Sequence, residues 1–111
     1  MAIIKTIPSR KIINGLVIDT SEISIVSETN YQTNGESCVV VRGVSDSTVI
    51  LDSKTTDHVV VKSMTRLTII PDTGKIDEDY DEIVAERYAC IEFRFVGGNW
   101  YILSSDGLKQ S

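Results

Sequence analysis

From Tyr88 to Val96 the chain alternates strictly. Ala89, Ile91, Phe93 and Phe95 fall on one side, and Tyr88, Cys90, Glu92, Arg94 and Val96 on the other. A period of two is the mark of a strand with one buried face. Gly97 and Gly98 follow, and glycine supplies the positive φ that a tight reversal needs. Trp100 to Leu103 is aromatic and branched and returns as a second strand, with Ser104-Ser105-Asp106-Gly107 as turn chemistry to stop it. The only Trp and both Phe lie in this hairpin, so Phe93, Phe95 and Trp100 are its predicted core or subunit-interface residues.

Shorter apolar runs precede it. Residues 1 to 20 hold the pairs Ile3-Ile4, Ile12-Ile13 and Leu16-Val17-Ile18, interrupted by Pro8 and Gly15, and are predicted to form an N-terminal arm with one or two short strands. Residues 21 to 111 are predicted to form the β domain. Within it, strands are expected at Glu22 to Val26, Ser37 to Arg42, Ser47 to Leu51, His58 to Lys62 and Leu67 to Ile70. Pro71 has no N–H for a ladder and suits the end of the last. Ser27 to Gly35 is polar and predicted to be a loop, Asp52 to Asp57 a loop with a helical turn, and Asp72 to Glu86 a loop or one helical turn. No ten-residue stretch keeps a 3.6 period, so the fold class is all-β: a compact antiparallel sandwich or barrel-like domain. The apolar faces through Val39 and Val41, Val59 and Val61, and Leu67 and Ile69 exceed what one small core is expected to cover, which argues for assembly.

Composition narrows the function. With 111 residues the chain fits one domain. Its net charge of −5 speaks against a nucleic-acid surface, and no apolar run reaches the roughly 20 residues of a membrane span. The opening MAIIKTIPSRKII lacks the apolar core of a signal peptide, so Cys38 and Cys90 are expected to be reduced and buried, with a disulfide between them as the alternative. Charge is unevenly placed. Lys5, Arg10 and Lys11 give residues 1 to 18 a charge of +3, while the remainder carries 8 bases against 16 acids, or −8. That split makes the arm a candidate for docking on an acidic surface.

Few residues suggest chemistry. Asp77, Asp79 and Asp81 have the spacing that opens an EF-hand loop, but Glu82 and Tyr88 stand where its glycine and bidentate glutamate belong, so a solvated loop is expected. His58 is the only histidine and has no nucleophile or further ligand near it in sequence. No G-x-S-x-G, HExxH or CxxC occurs, and the Gly97-Gly98 turn joins two strands rather than opening a helix on a phosphate. Tyr31, Tyr80, Tyr88 and Tyr101 are candidate sugar-stacking residues, scattered along the chain. Neither enzyme activity nor a cofactor or metal is expected.

The order of the pieces carries one resemblance. SCVVVRGVSDSTVILDS, then DHVVVKSMTRLTIIPDTGKID, then IEFRFVGGNWYILSSDG resembles a small β-rich module of tailed bacteriophages, found in head fibres, capsid decoration proteins and the ends of tail fibres. The matching pieces are Ser47 to Asp52, Val59 to Ser63, Leu67 to Pro71, Ile76-Asp77 and Asn99 to Ser104, and the likeness covers about two-thirds of the chain. Two positions depart from it: Asp52 replaces a usual proline, and an acidic run follows Asp77 in place of glycine. The resemblance implies a homotrimeric virion structural protein that acts by binding. A capsid decoration protein (head fibre or cement) is expected, assembled in the host cytoplasm and carried on the capsid surface, with the capsid protein as partner. A receptor- or glycan-binding module of a tail fibre is the alternative.

Overall fold

The computed structural model describes residues 10–13, 16–19, 23–43 and 45–109. Those residues form ten strands and no helix. β1 (Arg10–Ile13) and β2 (Leu16–Asp19) pair antiparallel as a separate two-stranded sheet, with Arg10 opposite Asp19. The arm's first nine residues, Lys5 among them, lie outside the described residues.

The other eight strands make one sheet: β3 (Ile23–Val26), β4 (Asn30–Gln32), β5 (Cys38–Val41), β6 (Ser47–Leu51), β7 (His58–Ser63), β8 (Leu67–Pro71), β9 (Ile83–Val96) and β10 (Asn99–Lys109). Its path runs β3-β5-β7-β9-β8-β6-β4, with β10 on the remaining edge of β9. The two ends of the path, β3 and β4, are consecutive in the chain, so the sheet nearly closes into a barrel.

The pairing corrects the antiparallel expectation. β3, β5 and β7 are parallel to one another, and so are β4, β6 and β8. Each apolar run pairs with the next but one, because the run between them crosses to the opposite side. Ile23 faces Cys38 and Cys38 faces Val60, so successive coils take 15 and 22 residues. A parallel connection needs about a dozen residues or more, and here one opposite strand with its two corners supplies them. The corners at residues 27–29, 52–57 and 64–66 contain no two-residue reversal of the hairpin kind. Gly97 and Gly98 do form one, at φ 60° and 93°, and there the chain turns back antiparallel.

β9 closes the coil. Its first residues, Ile83 to Ala85, pair with β8, and Cys90 to Arg94 pair with β7. Between them Tyr88 takes φ 71°, which bends the strand from one half of the sheet to the other. Other expectations also change. β4 lies in the predicted loop at Ser27 to Gly35, where Tyr31 opposite Val49 and the backbone of Gln32 find partners in β6. β9 starts five residues before Tyr88. β10 runs straight through Ser104 to Gly107, because Ser104, Ser105 and Asp106 meet Glu92, Ile91 and Cys90. Register shifts after Ile102 and after Asp106 absorb the turn-forming residues as bulges.

Alternate residues of β5 to β9, with Val26, Tyr31 and Trp100, point into one core, and Cys38, Val60 and Cys90 form a second, smaller buried cluster. Val39, Val49, Leu51, Val59, Ile69, Ile91, Phe93 and Trp100 are fully buried in the first, each large side chain contributing about 1.5–3 kcal/mol of apolar transfer. Val39, Val41, Val59, Val61, Leu67 and Ile69 are all at most 1% exposed within this single chain. These faces therefore need no neighbour to cover them and, contrary to expectation, do not call for assembly.

Candidate functional site

The coil presents two rows of corners and an outer sheet face, and the chemically interesting residues distribute over all three. Along one row, polar side chains stack from coil to coil. The Asp52 amide donates to Thr33 Oγ1 at 2.9 Å. A proline, usual at this place in the phage-like pattern, has no N–H to give. The Asp52 carboxylate accepts from the Lys54 amide at 2.9 Å and the Gln32 Nε2 at 2.7 Å. Those bonds, the Lys54 amide first, hold its carboxyl below the usual range. Asp52 therefore stabilises the corner above the ordinary carboxylate range, and that contribution fades as pH falls through its lowered value. One rung on, Asp72 accepts from the Ser53 amide and hydroxyl, both at 2.9 Å, and from the Trp100 indole N–H at 3.4 Å. Tyr31 donates its hydroxyl to Glu36, which also takes the Asn34 amide. Burial, then the bond to Glu36, pushes the Tyr31 hydroxyl up.

The acidic run ends this row, and two of its carboxylates fasten the turn to β10. Asp77 accepts the Ile102 amide at 3.0 Å, Glu78 the Tyr101 hydroxyl at 2.7 Å, and Asp81 pairs with Lys75 at 2.5 Å. The bond to Glu78 is the chief reason that the Tyr101 hydroxyl is raised. Asp77 and Glu78 both have positive φ, at 53° and 67°, and the Tyr80 amide closes the turn on the Ile76 carbonyl at 2.9 Å. No group of three or more potential metal ligands occurs among the described residues.

On the outer face, His58 Nε2 lies 2.5 Å from Glu92 Oε2, and Ser104 Oγ donates to Glu92 Oε1 at 3.1 Å. The carboxylate stands in the middle. A nucleophilic serine needs the imidazole against its hydroxyl, and here Glu92 occupies both. The set braces β7, β9 and β10 together.

Cys38 and Cys90 are buried and reduced. They sit on β5 and β9 with β7 between them. Two strand spacings amount to about 9–10 Å, beyond the roughly 7 Å that a disulfide spans. Burial first, then neighbouring Cys90, pushes the Cys38 thiol up to about 12 from 9.0. The neutral thiol favours folding, so this contribution is complete below the unfolded value and is lost as pH rises toward the folded one. The urea midpoint is expected to fall between about pH 9 and about pH 11, with a shallower decline in Cys38→Ala. Rapid native-state reaction of Cys38 with a thiol reagent at pH 8 would contradict its burial.

Of the other residues singled out in the sequence, Phe93 and Trp100 are fully buried in the single chain, and Phe95 packs on Trp100 with ring centroids 5.2 Å apart. Arg10 and Lys11 lie on β1. Tyr31 and Tyr80 pack against the core, Tyr101 is half-buried, and Tyr88 alone stands out, 53% exposed beneath the Arg87 guanidinium. The four tyrosines do not gather into one sugar platform. What the sequence did not reveal is a groove on the outer face lined by Ile25, Val40, Arg42, Gly43 and Met64. Its trace in the sequence is faint: Val40 with Arg42, and Lys62 with Met64, are period-two neighbours on the face away from the core.

No family model matches the chain, and no curated protein matches it.

Proposed function

We propose that the chain is a structural protein of a tailed-bacteriophage virion, a homotrimeric capsid decoration protein of the head-fibre or cement kind, which binds the capsid surface and catalyses nothing. The observation that carries this reading is where the phage-like pieces fall. Ser47 to Asp52 covers β6 and its corner, Val59 to Ser63 lies in β7, Leu67 to Pro71 is β8, and Asn99 to Ser104 opens β10. Ile76 bridges to Trp100 between them. The pieces are thus successive coils of one core and its closing strand, which supports reading them as one module. The Glu92-centred set on the outer face also favours a binding role, since it braces strands without activating a hydroxyl.

The basic arm is the proposed docking element. Deleting residues 1 to 11 removes Lys5, Arg10 and Lys11 and keeps β3 to β10, with every core residue among the described residues, in the chain. Exposed ion pairs are worth about 0.2–1 kcal/mol each, so losing three should weaken binding to stripped capsids by about threefold to about a hundredfold. Co-sedimentation with capsids measures this, and intact-chain binding should weaken with salt. Equal decoration by the truncated chain would rule out the arm as the docking element. Binding to a glycan array without binding to capsids would transfer the protein to the tail-fibre alternative.

A further inference from the structure

The outer groove lies where two cross-strand rows meet. Val40 pairs with Lys62, and Lys62 with Cys90. Arg42 and Met64, two residues beyond Val40 and Lys62, line the groove, and Tyr88, whose carbonyl Lys62 Nζ reaches, stands beside Lys62. Met64 is 40% and Tyr88 53% exposed. Ile25 and Val40 continue the apolar floor.

Tyr88 is held there under strain. A bulky residue with φ near 71° is uncommon and strained. Its surroundings fix it from both sides. Lys62 Nζ donates to the Tyr88 carbonyl at 3.0 Å, while Ser63 Oγ donates to the Glu86 carbonyl at 2.6 Å and takes the Ala89 amide at 3.1 Å. The Arg87 guanidinium stacks 4.8 Å from the ring centre. An exposed aromatic, a methionine and arginines are the residues that dominate protein interfaces.

Charge decides the partner. The chain carries 16 acids against 11 bases, yet the ion pairs among the described residues involve only His58, Arg66 and Lys75 as cations. Arg42, which lines the groove, and Lys62 and Arg87, on the strands beside it, have no carboxylate within ion-pair distance among the described residues. A second copy is a poor complement. Asp77, Glu78 and Asp81 of its acidic run, the carboxylates it could offer this groove, are engaged internally. Nucleic acid would meet three cations and then an acidic body.

We infer that the groove lined by Arg42 and Met64, with Lys62, Arg87 and Tyr88 on the strands beside it, is a docking surface for an acidic segment of another protein, one with an apolar side chain among its carboxylates to seat against Met64. This stands apart from the basic arm and holds whether or not the partner is a capsid protein.

The test is fluorescence anisotropy on the full chain, with a labelled twelve-residue peptide of alternating Asp and Leu as probe. Arg42→Ala/Lys62→Ala/Arg87→Ala should weaken binding by about tenfold or more, and Met64→Ser by about threefold to tenfold. Circular dichroism and the melting temperature of each variant confirm that it is folded. Equal binding by wild type and the folded triple variant overturns the proposal, and so does equal binding of a peptide with Ser in place of Asp. Tighter binding of a single-stranded oligonucleotide of the same charge would assign the groove to nucleic acid instead. Self-association of the wild type that the triple variant abolishes would assign it to a second copy. Either result also overturns the proposal.

Discussion

Trp100→Ala is expected to lower stability by about 3–5 kcal/mol, the usual cost of emptying a large aromatic site in a core. The indole is fully buried at the start of β10, its ring 5.2 Å from that of Phe95, and its N–H reaches Asp72. Its backbone is equally committed. The Trp100 amide donates to the Lys75 carbonyl at 2.9 Å, and its carbonyl receives the Asp77 amide at 2.8 Å. The residue thus joins the closing hairpin to the loop that leads out of the coil. A domain has only about 5–15 kcal/mol in hand, so the variant should melt at a much lower temperature or fail to fold. Trp100→Phe keeps the apolar contact and should lose much less. An unchanged melting temperature for Trp100→Ala would show an exposed indole and contradict the packing of the hairpin on the core.

Gly74→Ala is expected to be nearly as damaging, although it adds one methyl group to an exposed loop. Gly74 sits at φ 69°, where a side chain alone costs about 1–2 kcal/mol. A Cβ there would also stand 1.9 Å from the Gly98 carbonyl oxygen and 2.8 Å from Asn99 Oδ1. Backbone must move, and the movement pulls on the bonds from the Lys75 amide to Asn99 and from the Trp100 amide to Lys75. Adding one or two such bonds at about 0.5–1.5 kcal/mol each gives a loss of about 3 kcal/mol. Gly97→Ala is the internal control. Gly97 has φ 60°, but a methyl group there would meet nothing within 4 Å, so only the backbone cost applies. Equal melting temperatures for the two variants would mean that the loop does not pack against the hairpin as described.

The strands were legible wherever one face is buried and the other is not. Ser47 to Leu51 has its predicted bounds, and the alternation through Ala89, Ile91 and Phe93 matches the observed interior. The pairing was not legible, because period two says which residues point inward and nothing about which strand lies alongside. Antiparallel neighbours are the natural expectation for short, closely spaced runs. A coil produces the same pattern when its corners carry the chain across instead of back. Polar strands were missed for a related reason. Asn30–Gln32 and the segment from Ser104 onward owe their extended form to ladder partners in β6 and β9, which override local turn propensity.

The candidate sites divide in the same way. The sequence singled out Asp77 to Glu82 by composition, but only the fold shows three of those carboxylates, Asp77, Glu78 and Asp81, spent on Ile102, Tyr101 and Lys75. His58 drew notice as a lone histidine, and its partner Glu92 lies 34 residues away in sequence. Tyr88 was one of four tyrosines of equal standing until the bend in β9 turned it outward. The groove beside it depends on the register of three strands, which no local pattern encodes.

The central claim is that this coil decorates a capsid as a trimer. Cryo-electron microscopy of particles assembled with and without the protein tests it most directly. The expected result is extra density on the head surface, threefold symmetric and fitted by three copies, that disappears when the protein is omitted. Density confined to the tail, or heads that are identical with and without the protein, would contradict it.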